Sequence, residues 1–290
     1  MARTWPALAA DWSDPDVADL MQAALVDFAV VAIDDSSADH ATVYFDSPAT
    51  RDAALALLQR EFPAVALTTL DVPDEDWAAR SQANLRAVRV GRVIVRPPWD
   101  PAAELTAGVT DPVVLTIEPS MGFGTGHHAT TQLCLAALQD MDLRGARVLD
   151  VGTGSGILAI TAARLGATAV SAIDDDPDAA DAARDNVALN GCSATVTVDV
   201  ADLRTHQGRD YQVVVANLTG ALLIATARAL ESLLVAGAGR LILSGCLEAE
   251  IDSVLSAFSG GAGARVTRLE GWTCAVLTPA NTPPDAQRHA

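Results

Sequence analysis

The sequence contains no lysine, and its 19 basic residues are all arginine. A chain without lysine cannot carry the lysine of a phosphate-binding P-loop or form a Schiff base with a carbonyl substrate, so both chemistries are excluded. Acidic residues outnumber basic ones, because 37 Asp and Glu side chains give a net charge of −18 and an isoelectric point of about 4.4. Direct nucleic-acid binding is therefore not expected, whereas a basic protein would be attracted.

Cysteines and long apolar runs are also scarce. The four cysteines are far apart, without the spacing of a metal site, and are Cys134, Cys192, Cys246 and Cys274. We predict buried thiols in a reducing cytoplasm and no metal. No apolar run reaches the length of about 18 residues that a membrane helix needs, and the N-terminus has no apolar signal segment. These absences predict a cytoplasmic protein outside the membrane, and they indicate no particular oligomeric state.

The most informative stretch begins with an apolar run from Val148 to Val151. Three alternate glycines follow, Gly152, Gly154 and Gly156, and then a helical pattern that ends near residue 166. A second apolar run ends at Asp174, 22 residues after Gly152. Alternate glycines let a ligand lie against bare backbone, and a carboxylate at the next strand end suits the two hydroxyls of a ribose. The stretch predicts a site for a nucleoside-containing cofactor.

The kind of nucleoside follows from position 157. A dinucleotide fingerprint requires a third glycine there, and the chain has Ile157. Pyrophosphate binding is therefore disfavoured, and a turn of the form Asp-x-Gly-x-Gly-x-Gly favours S-adenosylmethionine over NAD. A glycine-rich turn without a ligand is the simplest alternative.

A second glycine-rich segment, residues 122–128, precedes a helix that we predict to begin at Thr130 or Thr131. Such a segment can fold over a ligand bound at the strand ends. It carries two adjacent histidines, His127 and His128. Neighbouring residues cannot easily aim at one ion, and no third ligand is spaced nearby, so a metal is disfavoured. The histidines are either a base or substrate contact, or polar groups of the loop.

The chain divides into four parts. Residues 1–72 have the order βαββαβ, which predicts a small ferredoxin-like α+β domain, with His40 in a turn. Residues 73–100 are interpreted as a linker that includes a strand at 88–95. Residues 101–280 alternate strands and helices, which predicts an α/β doubly wound sheet of seven strands. Its last two strands are separated only by Gly271 and Trp272, so they must form a terminal antiparallel hairpin. The polar tail, 281–290, is predicted to be disordered.

These features together resemble the class I S-adenosylmethionine-dependent methyltransferases. The motifs at 121–131, 149–160 and 214–218 look more closely like the PrmA family, which methylates a large-subunit ribosomal protein (number eleven). The resemblance implies a cofactor site at Thr131, Gly152, Asp174 and Asn217, and it extends to Gly154 and Gly156 in the same turn.

The resemblance also implies an activity: methyl transfer to amines, Lys side chains and possibly the N-terminal amine, of a basic ribosomal protein that the N-terminal domain recognises. We expect Asn217 and the Leu218 carbonyl to orient the amine, and Phe123 to wall the methyl-transfer cavity. His127 or His128 is the candidate to relay the proton. Three alternatives remain open: a methyltransferase for another protein or a small molecule, an NAD-linked oxidoreductase, and a non-catalytic S-adenosylmethionine-binding adaptor.

Overall fold

The computed structural model describes residues 4–12, 30–37, 40–73, 85–119 and 126–279, with residues 17, 21, 24, 25 and 28. The chain forms two compact units, residues 1–84 and 85–290. Three predicted features lie largely or wholly outside the described residues: the first helix of the βαββαβ order, the part of the second glycine-rich segment that contains Phe123, and the tail.

The smaller unit contains an antiparallel sheet in the order β2-β3-β1-β4. Its strands are β1 (Thr4–Asp11), β2 (Val30–Ser37), β3 (His40–Phe45) and β4 (Ala66–Pro73). The helix α1 (Pro48–Glu61) begins after Ser47, whose hydroxyl accepts the Thr50 N–H at 3.2 Å. Leu8, Phe45 and Leu58 are fully buried in its core. The four predicted strands are present, and the ferredoxin-like order with its first helix stays a prediction.

The placement of His40 in a turn was wrong. His40 begins β3, and its Nδ1 lies 2.7 Å from Asp11 Oδ1 on the paired strand β1. The preceding residues, 34–37, continue β2. The pairing of β2 with β3 extends to Ser37 and His40, which are partners, so His40 lies in the sheet.

Residues 85–119 form a small sheet in the larger unit. It contains β5 (Val88–Val90), β6 (Val93–Arg96) and, after the short helix α2 (Ala103–Thr106), β7 (Val113–Thr116). The first two strands are antiparallel, and β7 is parallel to β6. The single strand predicted at 88–95 is therefore a hairpin, because Gly91 takes a left-handed φ of 59° and reverses the chain. Residues 85–100, predicted as linker, belong to the larger unit.

The main sheet of the larger unit has seven strands in the order β10-β9-β8-β11-β12-β14-β13. Its first five strands in the chain are parallel, and they are β8 (Arg147–Val151), β9 (Ala169–Asp174), β10 (Val196–Val200), β11 (Val213–Asn217) and β12 (Arg240–Leu247). The hairpin of β13 (Arg265–Leu269) and β14 (Trp272–Leu277) adds antiparallel to β12. The predicted seven-stranded sheet with its terminal hairpin is confirmed.

The helix α3 (Ala129–Gln139) precedes the first strand of this sheet, and four helices connect its strands: α4 (Ile157–Arg164), α5 (Pro177–Leu189), α6 (Gly220–Ser232) and α7 (Ile251–Ser256). Along β11, Val213 and Val215 enter one buried cluster, whereas Val214 and Ala216 enter the other. Successive side chains of a strand point to opposite faces, so apolar residues at every position cover both faces of a parallel sheet. The sheet is buried between two layers, and its strand ends remain for a ligand.

Two further features of the structure concern the cysteine thiols and the apolar character of the helices. All four cysteines are buried and free, as predicted. Within the described part of the chain, no helix has the length and apolar character required to cross a membrane.

Candidate functional site

The glycine turn between β8 and α4 requires glycine. Gly152, Gly154 and Gly156 have φ values of 67°, 52° and 81°, which side chains rarely allow. A Cβ at Gly152 would lie 2.6 Å from Leu218 Cδ2, and one at Gly156 would lie 3.2 Å from Ala183 Cβ. The turn therefore presents bare backbone at the carboxyl end of β8, as the sequence predicts.

Backbone donors fasten this turn to the end of β9. The N–H groups of Gly152 and Thr153 both donate to the Ile173 carbonyl, at 2.9 and 3.0 Å. The Gly154 N–H donates to Asp174 Oδ2 at 2.9 Å, and the Asp176 N–H donates to Asp174 Oδ1 at 3.1 Å. The half-buried Asp174 carboxylate thus lies against the glycine turn. A carboxylate has about four acceptor positions, so it can also accept from two ribose hydroxyls.

Asp150, a residue for which the sequence analysis gave no role, lies fully buried beneath the turn. Its Oδ2 accepts from the Thr153 hydroxyl at 2.7 Å and from the Ala159 N–H at 3.1 Å. Its Oδ1 is the one buried side-chain N or O atom within the described residues that has no hydrogen-bond partner. Burial raises the pKa of this carboxyl from 3.8 to about 6, and the charge of Asp174 adds to the rise. The sequence signal for this role was its position two residues before Gly152, at the start of the Asp-x-Gly-x-Gly-x-Gly turn.

A second set of side chains meets at the end of β11. The Asn217 amide Nδ2 donates to Thr130 Oγ1 at 3.2 Å, and that hydroxyl lies 2.7 Å from His128 Nδ1. The Thr130 N–H also approaches His128 Nδ1, at 3.4 Å. Because a backbone N–H can only donate, Nδ1 carries a lone pair and the ring proton lies on Nε2. The Thr130 hydroxyl therefore accepts from Asn217 and donates to His128.

The other site residues that the sequence predicts, among those described, lie near the start of α3. The helix begins at Ala129 after His128, so the predicted start at Thr130 or Thr131 was late, because the imidazole acts as the N-terminal cap. Thr131 is buried in the first helical turn. The half-buried His127 accepts at its carbonyl from Gln132 Nε2, at 2.8 Å. Phe123 lies outside the described residues.

Asn186 is a further residue that the sequence analysis missed. It is almost fully buried on α5. Its Oδ1 accepts the Glu118 N–H at 2.7 Å, and its Nδ2 donates to the Ser155 carbonyl at 3.0 Å. Asn186 therefore joins the segment after β7 to the glycine turn. A single Asn within an ordinary amphipathic helix gives no sequence signal of this role.

The charges at this edge favour a cationic ligand over a phosphate. Asp174, Asp175 and Asp176 follow one another at the end of β9, and Asp150 lies beneath the turn. Carboxylates repel a pyrophosphate, whereas they attract the sulfonium and ammonium groups of S-adenosylmethionine. With bare backbone at one end and a carboxylate beside it that can accept from ribose hydroxyls, the residues fit that cofactor.

Comparisons with known proteins agree with this geometry. Residues 17–279 match the family described as ribosomal protein L11 methyltransferase (PrmA). The chain is 40% identical over 253 residues to the ribosomal protein L11 methyltransferase of Geobacter sulfurreducens, covering 82% of each chain. It is 39% identical over 220 residues to that of Heliobacterium modesticaldum, covering 72% of this chain and 68% of the relative. A crystal structure of ribosomal protein L11 methylase from Lactobacillus delbrueckii subsp. bulgaricus aligns with a TM-score of 0.60 and 26% identity, covering 67% of this chain and 99% of that one.

Proposed function

The chain belongs to the ribosomal protein L11 methyltransferase (PrmA) family, and from this membership we propose that its methyl acceptor is a ribosomal protein of the L11 type. The enzyme is an S-adenosylmethionine-dependent methyltransferase. The proposed acceptor groups are amines, namely Lys side chains and possibly the N-terminal amine. The observation that carries the proposal is the meeting of the glycine turn, the Asp174 carboxylate and the Asn217 amide at one edge of the sheet.

We assign the cofactor-binding roles as follows. The backbone of Gly152, Gly154 and Gly156 lies against the cofactor, and Asp174 accepts from its ribose hydroxyls. Thr131 lies at the start of α3, close in the chain to the Thr130 that contacts Asn217. When bound, S-adenosylmethionine supplies a methyl group on a positively charged sulfur. The protein's contribution is alignment of that methyl group with the acceptor.

Asn217 is our candidate for orienting the incoming amine. Its bond to Thr130 uses one of two amide protons, so Oδ1 and the second N–H can serve a ligand. The amine must be neutral to attack, whereas a free Lys amine has a pKa of about 10.4, so it must lose a proton in the site. His128 Nδ1 already accepts from Thr130, and its Nε2 carries the ring proton, so His128 is not a base in this arrangement. His127 stays the candidate relay.

We propose that the N-terminal domain expected at residues 1–72, which lies within the smaller unit 1–84, recognises the acceptor. Acidic residues outnumber arginines in this segment, in keeping with the net charge of −18 for the whole chain. An acidic surface attracts a basic ribosomal protein, and the attraction weakens as salt screens it. The KM for the acceptor should therefore rise with ionic strength. A KM that does not change with salt would contradict an electrostatic role. A cytoplasmic location stays a prediction.

The direct test is transfer of a labelled methyl group to purified ribosomal protein L11 by the full-length enzyme. The second arm uses a lysate from cells that lack this protein, followed by identification of the labelled bands. Label in L11 in both arms supports the proposal. Label only in another band assigns another acceptor, and cofactor binding with no transfer to any acceptor assigns an adaptor. Calorimetry with S-adenosylmethionine and with NAD checks the cofactor independently.

A further inference from the structure

The orientation of Asn217 depends on a residue from a distant part of the chain. Its amide lies at the end of β11, and Thr130, which accepts from it, lies in the first turn of α3, 87 residues earlier. Asn217 is half-buried, whereas Thr130 is only 4% exposed. An amide has a donor arm and an acceptor arm of nearly equal size, so a hydrogen-bond partner must select between its two orientations.

The Thr130 hydroxyl can make this selection because its own proton is already committed. Its proton is directed to His128 Nδ1, which the adjacent Thr130 N–H keeps in the acceptor state. The hydroxyl then offers only lone pairs to Asn217, so Nδ2 faces Thr130 and Oδ1 lies on the other arm of the amide. The reversed amide would place two acceptors against each other.

Residues of two further strands, β12 and β14, pack around Thr130 and His128. The Ser244 hydroxyl, opposite Asn217 on β12, lies 3.4 Å from the Thr130 carbonyl and donates to the Thr273 carbonyl at 2.7 Å. The Trp272 ring packs edge-on against His128, with centroids 4.9 Å apart. Thr130 on α3 thus contacts β11 and β12, and two residues that contact it, Ser244 and His128, contact β14.

We infer that Thr130 is a positioning residue for methyl transfer: its hydroxyl, oriented by His128, holds the Asn217 amide with Oδ1 directed to the ligand. This inference rests on the proposed role of Asn217. Oδ1 is the atom that can accept from an ammonium group of the cofactor or from the N–H of an acceptor amine. Without the hydroxyl, both amide orientations become accessible, and only one of them is productive.

The test compares Thr130→Val, which keeps the branched shape and removes the hydroxyl, with Thr130→Ser, which keeps the hydroxyl. Loss of one oriented hydrogen bond should lower kcat about tenfold in Thr130→Val and change the KM for ribosomal protein L11 less than about twofold. Thr130→Ser, which still has a hydroxyl, should have a kcat within about twofold of the wild type. Equal kcat losses in both variants, or no loss in Thr130→Val, would overturn the inference.

Two further measurements separate positioning from folding. Thr226→Val is the matched control, because Thr226 is also a buried helical threonine and its hydroxyl bonds to the Leu222 carbonyl at 2.7 Å. Thr226→Val should keep the wild-type kcat, although it should change the thermal midpoint of unfolding about as much as Thr130→Val does. In an Asn217→Ala background, Thr130→Val should add nothing further, because the residue that it orients is gone. If the kcat losses of Thr130→Val and Asn217→Ala multiply in the double variant, Thr130 acts independently of Asn217, and the inference is overturned.

Failure of the proposed acceptor can be distinguished from failure of this inference. If the wild-type enzyme does not methylate ribosomal protein L11, the acceptor assignment is wrong, and calorimetric titration with S-adenosylhomocysteine still tests Thr130. The inference then expects affinity about fivefold weaker in Thr130→Val and nearly unchanged in Thr130→Ser, from the loss of one hydrogen bond. Equal affinities in the two variants would overturn it.

Discussion

The two halves of the site are held by different kinds of group. Around the glycine turn, the bonds to the end of β9 are donated by the backbone N–H groups of Gly152, Thr153 and Gly154, so the chain conformation sets the positions of the donors. Around Asn217, the bonds run between side chains, from the amide to Thr130 and on to His128. In the half around the glycine turn, the backbone-built half, the donors move only when the chain conformation changes. In the half built from side chains, the substitution of a single hydroxyl changes the hydrogen bonds and leaves the chain conformation as it is.

The largest expected effect concerns Asp150 beneath the backbone-built half. Its folded pKa of about 6 lies above the usual 3.8, so the folded state binds the proton more tightly than the unfolded chain does. The stabilisation from this group is complete below pH 3.8 and is lost as the pH rises to about 6. The whole shift is equivalent to about 3 kcal/mol of unfolding free energy, of which about half falls between pH 5 and 7.5.

Asp150→Asn should remove this dependence, because an amide does not titrate. The measurement is urea unfolding of both proteins from pH 5 to 7.5, above the isoelectric point of about 4.4. The difference in unfolding free energy between the wild type and the variant should move in favour of the variant as the pH rises. A difference that stays constant across this range would show that Asp150 does not titrate there.

The next largest effect concerns Asp174, whose side chain joins the end of β9 to the glycine turn. Asp174→Ala removes the acceptor of the Gly154 N–H and the proposed acceptor for the ribose hydroxyls. Affinity for S-adenosylhomocysteine should fall about 100-fold, as expected for one or two charge-assisted hydrogen bonds. Asp175→Ala is the control, because it removes the same charge one residue later. Similar losses in both variants would indicate that net charge, rather than the bond geometry, sets the affinity.

A smaller effect tests the bare backbone of the turn. Gly152→Ala places a methyl group at a φ of 67° and 2.6 Å from Leu218 Cδ2, so the Leu218 side chain must move. We expect cofactor affinity to fall about tenfold. Gly191→Ala is a matched control, since Gly191 has a φ of 66° and no atom within 4 Å of an added Cβ. The two variants should lose similar stability, and only Gly152→Ala should lose affinity. Unchanged affinity in Gly152→Ala would remove Gly152 from the cofactor site.

The same contrast explains what the sequence could predict. The glycine turn and Asp174 belong to consecutive elements, and the rule that parallel strands end at one edge of a sheet brings them together. The terminal hairpin was equally accessible, because its connection is too short for any other arrangement. The contact between Thr130 and Asn217 joins residues 87 positions apart, and no local pattern of periodicity or spacing records it. The partly satisfied carboxyl of Asp150 likewise depends on the packing of α4 over β8.

Local turn chemistry accounts for the errors elsewhere. A run of β-formers from 88 to 95 reads as one strand, and only the left-handed Gly91 divides it into a hairpin. His40 was expected in a turn, but it begins β3 and pairs with Ser37 of β2. The sequence allows His128 to be a base, a substrate contact or a polar group of the loop, and in the structure its side chain caps the N-terminus of α3. In each case the deciding fact is a backbone conformation or a neighbour that the sequence pattern leaves open.

The smallest effect concerns His128, at the far end of the side-chain half. His128→Asn places an amide oxygen near the Nδ1 position, so it can still accept from Thr130 and cap α3, while the edge contact with Trp272 is lost. We expect kcat to fall only about threefold, because the orientation of Thr130 is kept and a weak aromatic contact is removed. A residue that carries the proton would instead lose about 100-fold or more on this change. Steady-state kcat on ribosomal protein L11 decides between the two, with His128→Ala as the variant that removes the acceptor and should fall about as far as Thr130→Val.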